Sequence, residues 1–306
     1  MKSEVLKTLS TIPGFDGLDP ASISIKRLGG FTNRNYKIDC VHGSCVLRLA
    51  GEGTSDYMDR KAEYHAASIA TEAGFNAEIV HFNVGDGTMI SRYIENLVTM
   101  DIERLRDLVA LKRTARAIRR LHECGKEFQG QFEIFEQIDR YLDVIRELGA
   151  GVPDGHEELQ NDAEHVRAVL LAHPLPRKPC HCDPAVENCI DNGERVHIVD
   201  FEYAGNNDPM WDLGDLSVEG DITVEQDHAL LTAYFGHEAG AFDVGRMIMY
   251  KAMRDLFWIL WEVVQHAKGN PAADFWDYVL VRLGRCRKLM ASTDFPKHLE
   301  AVKRGP

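Results

Sequence analysis

His181-Cys182-Asp183-Pro184-Ala185-Val186-Glu187-Asn188, followed twelve residues later by Asp200 in Val199-Asp200-Phe201-Glu202-Tyr203, is the stretch from which the rest of this chain can be read. Between the two lie Cys189-Ile190, an Asp191-Asn192-Gly193 turn and Arg195-Val196-His197-Ile198-Val199. Asn-Gly supplies the positive φ of a tight turn, so the segment reads as a short β-hairpin. Both arms of a hairpin return to one end. Asn188, entering the first arm, therefore comes beside Asp200, leaving the second, and an amide oxygen and a carboxylate can share one hard cation of the Mg²⁺ kind.

Asp183 stands just before this pair. An Asp, an Asn five residues on, then an Asp after a hairpin is the order of a kinase catalytic loop, in which the first Asp accepts the substrate hydroxyl proton. Taken singly, such residues commonly satisfy turn backbone. Jointly the pattern resembles the aminoglycoside phosphotransferase and choline kinase group, which shares the protein-kinase fold. Asp200-Phe201-Glu202-Tyr203-Ala204-Gly205, then Asp208-Pro209 and Trp211-Asp212-Leu213-Gly214, resemble the choline/ethanolamine kinase version of the segment. Cys182 replaces the arginine of generic kinases, and Pro184 stands where relatives usually have leucine. Neither change removes a group that would contact phosphate, metal or hydroxyl.

The chain has 306 residues, 44% hydrophobic and 27% charged, enough for one large domain or two lobes. A formal net charge of −13 without a basic run argues against a nucleic-acid surface. Seven cysteines, without paired Cys-x-x-Cys motifs, speak against a disulfide framework or zinc knuckle. Cys180-His181-Cys182 would point alternate side chains to opposite faces of a strand, a poor grip on one ion. Met1-Lys2-Ser3-Glu4 opens no apolar leader, and no run approaches the ~20 apolar residues of a membrane span. The expectation is a cytoplasmic enzyme with reduced thiols.

Upstream, residues 3–10 suit a short helix, and Ser22–Leu28, Asn35–Asp39 and Ser44–Leu49 suit antiparallel strands. The first strand turn carries Gly29-Gly30-Phe31-Thr32-Asn33; it is either a plain Gly-Gly hairpin turn or a loop whose backbone N–H groups approach phosphates. Arg48 falls where the kinase resemblance places the phosphate-holding basic residue, and its planar fork suits phosphate oxygens. A helix from Asp59 to Ala73 carries Glu63, which the resemblance makes the partner of Arg48. Glu72 and Glu52 are rivals for that role. Ala77–Val84 and Thr88–Tyr93 read as two further strands. The resemblance then puts the hinge, with backbone contacts to an adenine edge, at Tyr93-Ile94-Glu95.

Beyond residue 96 the chain reads as mainly helical. A single amphipathic run extends from Asp101 to His122, with His122 structural rather than catalytic. Helices follow at 131–148, 157–172, 224–235 and 243–268, and Asn270-Pro271 reads as the start of another, with Asn as its cap. Trp258 and Trp261 share one helical face and Tyr278 lies on the next helix. Such aromatics are core by default. Their spacing also resembles the segment that builds the aromatic wall of the choline pocket in choline kinases, where ring faces attract a quaternary ammonium. Glu219 and Glu262 are the candidate carboxylates beside it.

The resemblance runs in family order from Gly29 to Tyr278. The expected architecture is α+β: a two-lobed protein-kinase-like fold with a small antiparallel β-sheet lobe (1–95, nucleotide-binding) and a larger helical lobe (96–306, catalytic and substrate-binding). The expected activity is ATP- and Mg²⁺-dependent phosphorylation of a small amino alcohol, with choline first. In this reading Asp183 is the catalytic base, Asn188 and Asp200 hold the metal, and Gly29, Gly30, Thr32, Asn33, Arg48, Glu63, Tyr93, Ile94 and Glu95 serve the nucleotide. Trp258, Trp261, Tyr278, Glu219 and Glu262 serve the acceptor. Ethanolamine, thiamine or an aminoglycoside is the alternative acceptor, because motif fixes reaction better than substrate. A nucleotide-binding regulator without turnover is the alternative of another class.

Overall fold

The computed structural model describes residues 2–29, 33–51 and 58–306. Helix α1 (Lys2–Leu9) precedes strands β1 (Ser24–Arg27), β2 (Arg34–Cys40) and β3 (Gly43–Leu49). Helix α2 (Arg60–Glu72) comes next, then β4 (Ile79–Phe82) and β5 (Met89–Arg92). The five strands form one antiparallel sheet in the order β1-β2-β3-β5-β4. Alternation along β3 decides what each face does. Cys45, Leu47 and Leu49 pack with Tyr36, Ile38, Ile90 and the α1 residues Val5 and Leu9. Arg48, from the intervening register, is turned to the other face yet is only 2% exposed.

That other face meets α2. Asp59 caps this helix by accepting from the N–H groups of Lys61 and Ala62 at 3.0 and 3.1 Å, a contribution of about 1 kcal/mol. Its buried stripe is small, Ala66, Ala67 and Ala70, and packs with Phe75, Leu121, Phe128 and Phe201. Helix α2 is thereby held close to the segment that follows Asp200, which brings Glu63 and Asp200 to the same place.

The remainder is mostly helical, with short strands β6 (Val98–Thr99), β7 (Lys178–Cys180), β8 (Cys189–Asp191), β9 (Val196–Ile198) and β10 (Gly205–Asn207). The helices are α3 (Ile102–Arg106), α4 (Leu108–His122), α5 (Ile134–Leu148), α6 (His156–Ala172), α7 (Met210–Glu219), α8 (Val224–Phe235), α9 (Ala241–Ala267), α10 (Phe275–Met290) and α11 (Phe295–Lys303). The 27-residue α9 is the axis; α5, α6, α7, α10 and α11 all pack against it. Gly214 permits a close approach of α7 to α9, since a Cβ there would lie 3.0 Å from the Met247 carbonyl oxygen. The α+β architecture agrees with the expectation from sequence, including the Asp191–Gly193 hairpin, whose arms are β8 and β9.

Three expected helix boundaries are wrong, the simplest being that α5 starts at Ile134, capped by Glu133, rather than at residue 131. The run 101–122 is two helices, because Asp107 leaves the helical conformation (φ −64°, ψ 122°) and caps α4 through the Val109 and Ala110 N–H groups. Asp competes with helical hydrogen bonding in this way. Asn270 does not start α10 either. It closes the end of α9, its backbone N–H donating to Gln265 O and its Nδ2 to Gln265 Oε1, while Asp274 caps α10 at Trp276.

Candidate active site

Strand β7 delivers the chain into His181, and Asp212 in the first turn of α7 fixes the path of His181 and Cys182. Its carboxylate accepts from the backbone N–H of His181 at 2.8 Å and of Cys182 at 2.9 Å, and lies 3.0 Å from His122 Nε2. His122 Nδ1 is 2.8 Å from the Tyr234 hydroxyl, which agrees with a structural His122. Trp211 Nε1 donates to the Cys182 carbonyl, and His181 Nε2 is 2.9 Å from Val199 O. Cys182 itself sits at φ +66°, an uncommon conformation for a side-chain-bearing residue that this surrounding network maintains. His122, Cys180 and Asp212 bring one ligand atom each within 4.8 Å, but the hydrogen bonds just described already use the His and the Asp. The Cys182 thiol is buried and its pKa is held well above that of a free thiol by burial. Sequence reasoning missed Asp212 as the organiser of the loop. Its signals were its place in the Trp211-Asp212-Leu213-Gly214 segment that resembles the family, which assigned it no role, and an acidic residue at a helix start, which ordinarily reads as a cap.

The loop presents Asp183, half-buried. Burial first, then the charge of Asp215, pushes its carboxyl well above the usual carboxylate range, and Arg254 opposes the shift. Asn188 donates through Nδ2 to the Asp183 carbonyl at 3.0 Å, leaving its side-chain oxygen for another partner. The Val199 N–H donates to Asn188 O, so the hairpin returns Asp200 to Asn188 as its sequence implies. Asp200 adopts φ +69°, a region that Asp tolerates better than most residues.

On the sheet side, Arg48 forms ion pairs with Glu63 and, at 3.0 Å, with Asp200, and donates to Gly87 O. Arg60 binds the second Glu63 oxygen at 2.6 Å and reaches Glu202 at 3.4 Å. Asn33 Nδ2 donates to Asp200 at 3.3 Å and Glu202 at 3.2 Å. Burial and the Asp200 charge push the Glu202 carboxyl up to about 7, against the pull of Arg48 and Arg60. Glu63 is thus the partner of Arg48, whereas Glu72 is exposed. Glu52, Gly30 and Thr32 lie outside the described residues. Gly29 is exposed, its carbonyl accepting from Asn35 Nδ2. Tyr93, Ile94 and Glu95 link β5 to β6, between sheet and helices; Lys37 lies 4.2 Å from the centre of the Tyr93 ring and 3.8 Å from Glu95.

On the helical side, Trp258 and Trp261 meet edge-to-face at 5.5 Å between ring centres. Tyr203 packs on Trp258 and Phe275 on Trp261. Tyr278 does not join them: it is 44% exposed, because Phe275, three positions earlier on α10, faces Trp261 instead. Arg254 lies 5.7 Å from the centre of the Trp258 ring and pairs with Asp215, Glu219 and Asp255. Arg282 bonds Glu262 at 2.7 Å and Arg285 bonds Asp255. Glu219 and Glu262 are therefore already engaged by arginines. Burial pushes the Glu262 carboxyl up to about 8.

The model of the phosphotransferase enzyme family matches residues 24–256. A choline/ethanolamine kinase family protein from Mesorhizobium loti superposes with a TM-score of 0.90 at 42% identity, each chain covered in full (100% of both). Choline kinase LicA from Streptococcus pneumoniae superposes with a TM-score of 0.81 at 26% identity, over 95% of this chain and 99% of that one. A probable ethanolamine kinase from Arabidopsis thaliana is 22% identical over 89% of this chain and 80% of its own. By these matches and by the loop that carries Asp183, Asn188 and Asp200, the chain belongs to the phosphotransferase enzyme family and, within it, to the choline/ethanolamine kinases, small-molecule phosphotransferases with an alcohol acceptor.

Proposed function

We propose that this protein transfers the terminal phosphoryl group of ATP to the hydroxyl of a small amino alcohol, choline being the first acceptor to test. The observation that carries the reading is the convergence of Asp183, Asn188 and Asp200 at one end of the hairpin, facing the Arg48–Glu63 pair. Asp183 accepts or orients the acceptor hydroxyl. Arg48 and the Gly29–Asn33 segment serve the phosphates, and the backbone of Tyr93-Ile94-Glu95 serves the adenine edge. Residues 1–95 form the nucleotide-binding half and residues 96–306 the catalytic half.

The donor set suits Mg²⁺, a hard cation that takes oxygen ligands. The Asn188 amide is oriented by its Nδ2 bond so that its oxygen is available, and Asp200 supplies a carboxylate. A bound Mg²⁺ would supply charge neutralisation at the transferring phosphoryl group. Beside it, Asp183 holds the acceptor hydroxyl.

Choline is favoured by the two indole faces, which attract a quaternary ammonium. Ethanolamine is the next acceptor, since an ethanolamine kinase stands among the relatives; thiamine and aminoglycosides follow. No described helix is long and apolar enough to cross a membrane, and a cytoplasmic location is part of the proposal. The test is ADP release from Mg·ATP across these acceptors. Acceptor-dependent release with choline or ethanolamine is the expected result. Nucleotide binding without release for any acceptor would leave a regulatory protein in place of an enzyme.

A further inference from the structure

Arg60 breaks two local rules. It is a cation at the first position of α2, where the helix dipole favours anions, and it is only 4% exposed, rare for an arginine without a partner. Asp59, just before it, already caps the helix, so the formation of α2 does not call for Arg60. Conflicts of this kind gather where function demands them. The guanidinium joins two carboxylates from separate parts of the chain: Nη1 lies 2.6 Å from Glu63 Oε2 and 3.4 Å from Glu202 Oε2. Gly87, at φ +75°, lets the turn between β4 and β5 close over both arginines of this end. A Cβ there would stand 2.7 Å from Arg60 Nε, and the Gly87 carbonyl accepts from Arg48 Nη2 at 3.1 Å.

What Arg60 does follows from what Arg48 must do. Arg48 commits Nη1 to Asp200 and Nη2 to Glu63 and Gly87. To serve phosphates it must release Asp200, the carboxylate assigned to the metal. Glu202 is then the rival for Nη1, because one amide, Asn33 Nδ2, donates to Asp200 Oδ2 at 3.3 Å and to Glu202 Oε2 at 3.2 Å and so sets the two carboxylates side by side. The Glu202 side chain is 6% exposed, and a buried carboxylate without a cation costs several kcal/mol. Arg60 is the cation that meets it.

We propose that Arg60 is a positioning residue for the nucleotide: by holding Glu202 and the second oxygen of Glu63, it keeps both off the Arg48 nitrogen that turns to the phosphates when Asp200 goes to the metal. Arg60 itself touches no phosphate in this arrangement. The inference rests on the kinase reading above and adds the residue that keeps Arg48 available.

The test is calorimetric titration, without acceptor, of the Mg²⁺ complex of the non-hydrolysable β,γ-imido analogue of ATP. Arg60→Gln should raise its Kd about tenfold, the loss of one charge-assisted bond at 1.4 kcal/mol per decade. Glu202→Gln removes the rival charge, so adding Arg60→Gln to it should change Kd by less than about threefold. An equal, about tenfold loss in both backgrounds would mean that Arg60 meets the phosphates directly. An unchanged Kd in Arg60→Gln, with only a lowered melting temperature, would mean a structural role. Loss of binding in Glu202→Gln alone would make Glu202 a ligand of the nucleotide complex rather than a rival for Arg48. Each of these three results overturns the inference. If Arg60→Gln does not fold by itself, the double variant, which removes one charge of each sign, is compared with Glu202→Gln; about a tenfold difference in Kd between those two overturns it as well. Failure of the wild-type protein to bind the analogue would instead defeat the functional reading itself.

Discussion

At the Arg48 end of the site, two guanidiniums, Arg48 and Arg60, face three carboxylates, Glu63, Asp200 and Glu202, and all four oxygens of Glu63 and Asp200 are bound by protein groups. At the Trp258 end, three guanidiniums face four carboxylates, and Asp215 Oδ2, Glu262 Oε2 and both indole N–H groups have no partner among the described residues. With every carboxylate ionised the two ends would carry the same excess of one negative charge, so the count alone does not distinguish them. Saturation does. A cation arriving at Asp200 must exchange places with Arg48 and Asn33, whereas the Trp258 end keeps buried acceptors, Asp215 Oδ2 and Glu262 Oε2, and buried donors, the two indole N–H groups, without partners among the described residues. The construction differs accordingly. Arg48, Glu63 and Asp200 come from a strand, a helix and a hairpin exit. Asp215, Arg254 and Arg282 come from α7, α9 and α10; α7 and α10 both pack on α9, with Gly214 at the close approach of α7.

The largest expected effect breaks both ends at once. Asp183→Asn and Asp200→Ala should each lower turnover by about a hundred- to ten-thousand-fold; Asp183→Asn should keep the wild-type thermal transition, whereas Asp200→Ala also takes an acceptor from buried Arg48 and from Asn33 and should lower it. Steady-state ADP release measures this, and near-normal turnover in either variant refutes the assigned roles. Asp212→Ala should do the opposite in kind. It leaves the His181 and Cys182 N–H groups and His122 without their acceptor, a loss of about 3–5 kcal/mol for a buried charged partner. The denaturation midpoint, rather than ATP affinity, is the quantity that should move.

Much of this was legible in the sequence where local chemistry speaks for itself. The Asn-Gly turn, the Asp59 cap and the alternation of β3 each follow from residue types at short range, and the turn suffices to bring Asn188 and Asp200 together beside Asp183; the place of Arg48 opposite them was legible only through the family resemblance. Asp212 was not legible as the loop's anchor, because a carboxylate that accepts from backbone N–H groups some thirty residues away leaves no pattern at the accepting end. Arg254 was hidden differently. It lies among Lys251 and Asp255 on α9, and a charged residue in such company reads as a solvated position until α7 is known to face it. Tyr278 was misplaced because a helical face is defined only to within a turn: α10 starts at Phe275, and that start presents Phe275 rather than Tyr278 to Trp261.

A pair of variants sharpens the comparison between the ends. Arg48→Ala removes charge-assisted bonds worth about 1.5–3 kcal/mol, so the KM for ATP should rise about ten- to a hundredfold while that for the acceptor holds. Trp261→Leu removes one cation–π contact of about 1–2 kcal/mol, so the acceptor KM should rise about five- to thirtyfold while ATP is unaffected. Crossed effects, with Arg48→Ala moving the acceptor constant or Trp261→Leu the ATP constant, would mean that the two ends are coupled and do not divide nucleotide from acceptor.

The smallest effect concerns Glu262, and it tests whether the Trp258 end is short of a cation. Glu262 Oε1 accepts from Arg282, while Oε2 is buried without a partner among the described residues. Burial raises its carboxyl from an ordinary 4.5 to about 8. A raised folded-state value for an acid means that the folded protein binds the proton more tightly than the unfolded chain. Stability should therefore decline as pH rises through the window from about 4.5 to 8 and level off above it. Glutamine imitates the protonated acid, so Glu262→Gln should melt with the wild type near pH 4 and above it at pH 9, apart from any difference common to both. Saturating choline, by supplying the missing cation, should narrow the gap at pH 9. Parallel melting curves across the whole range would show that Arg282 already compensates Glu262 in full.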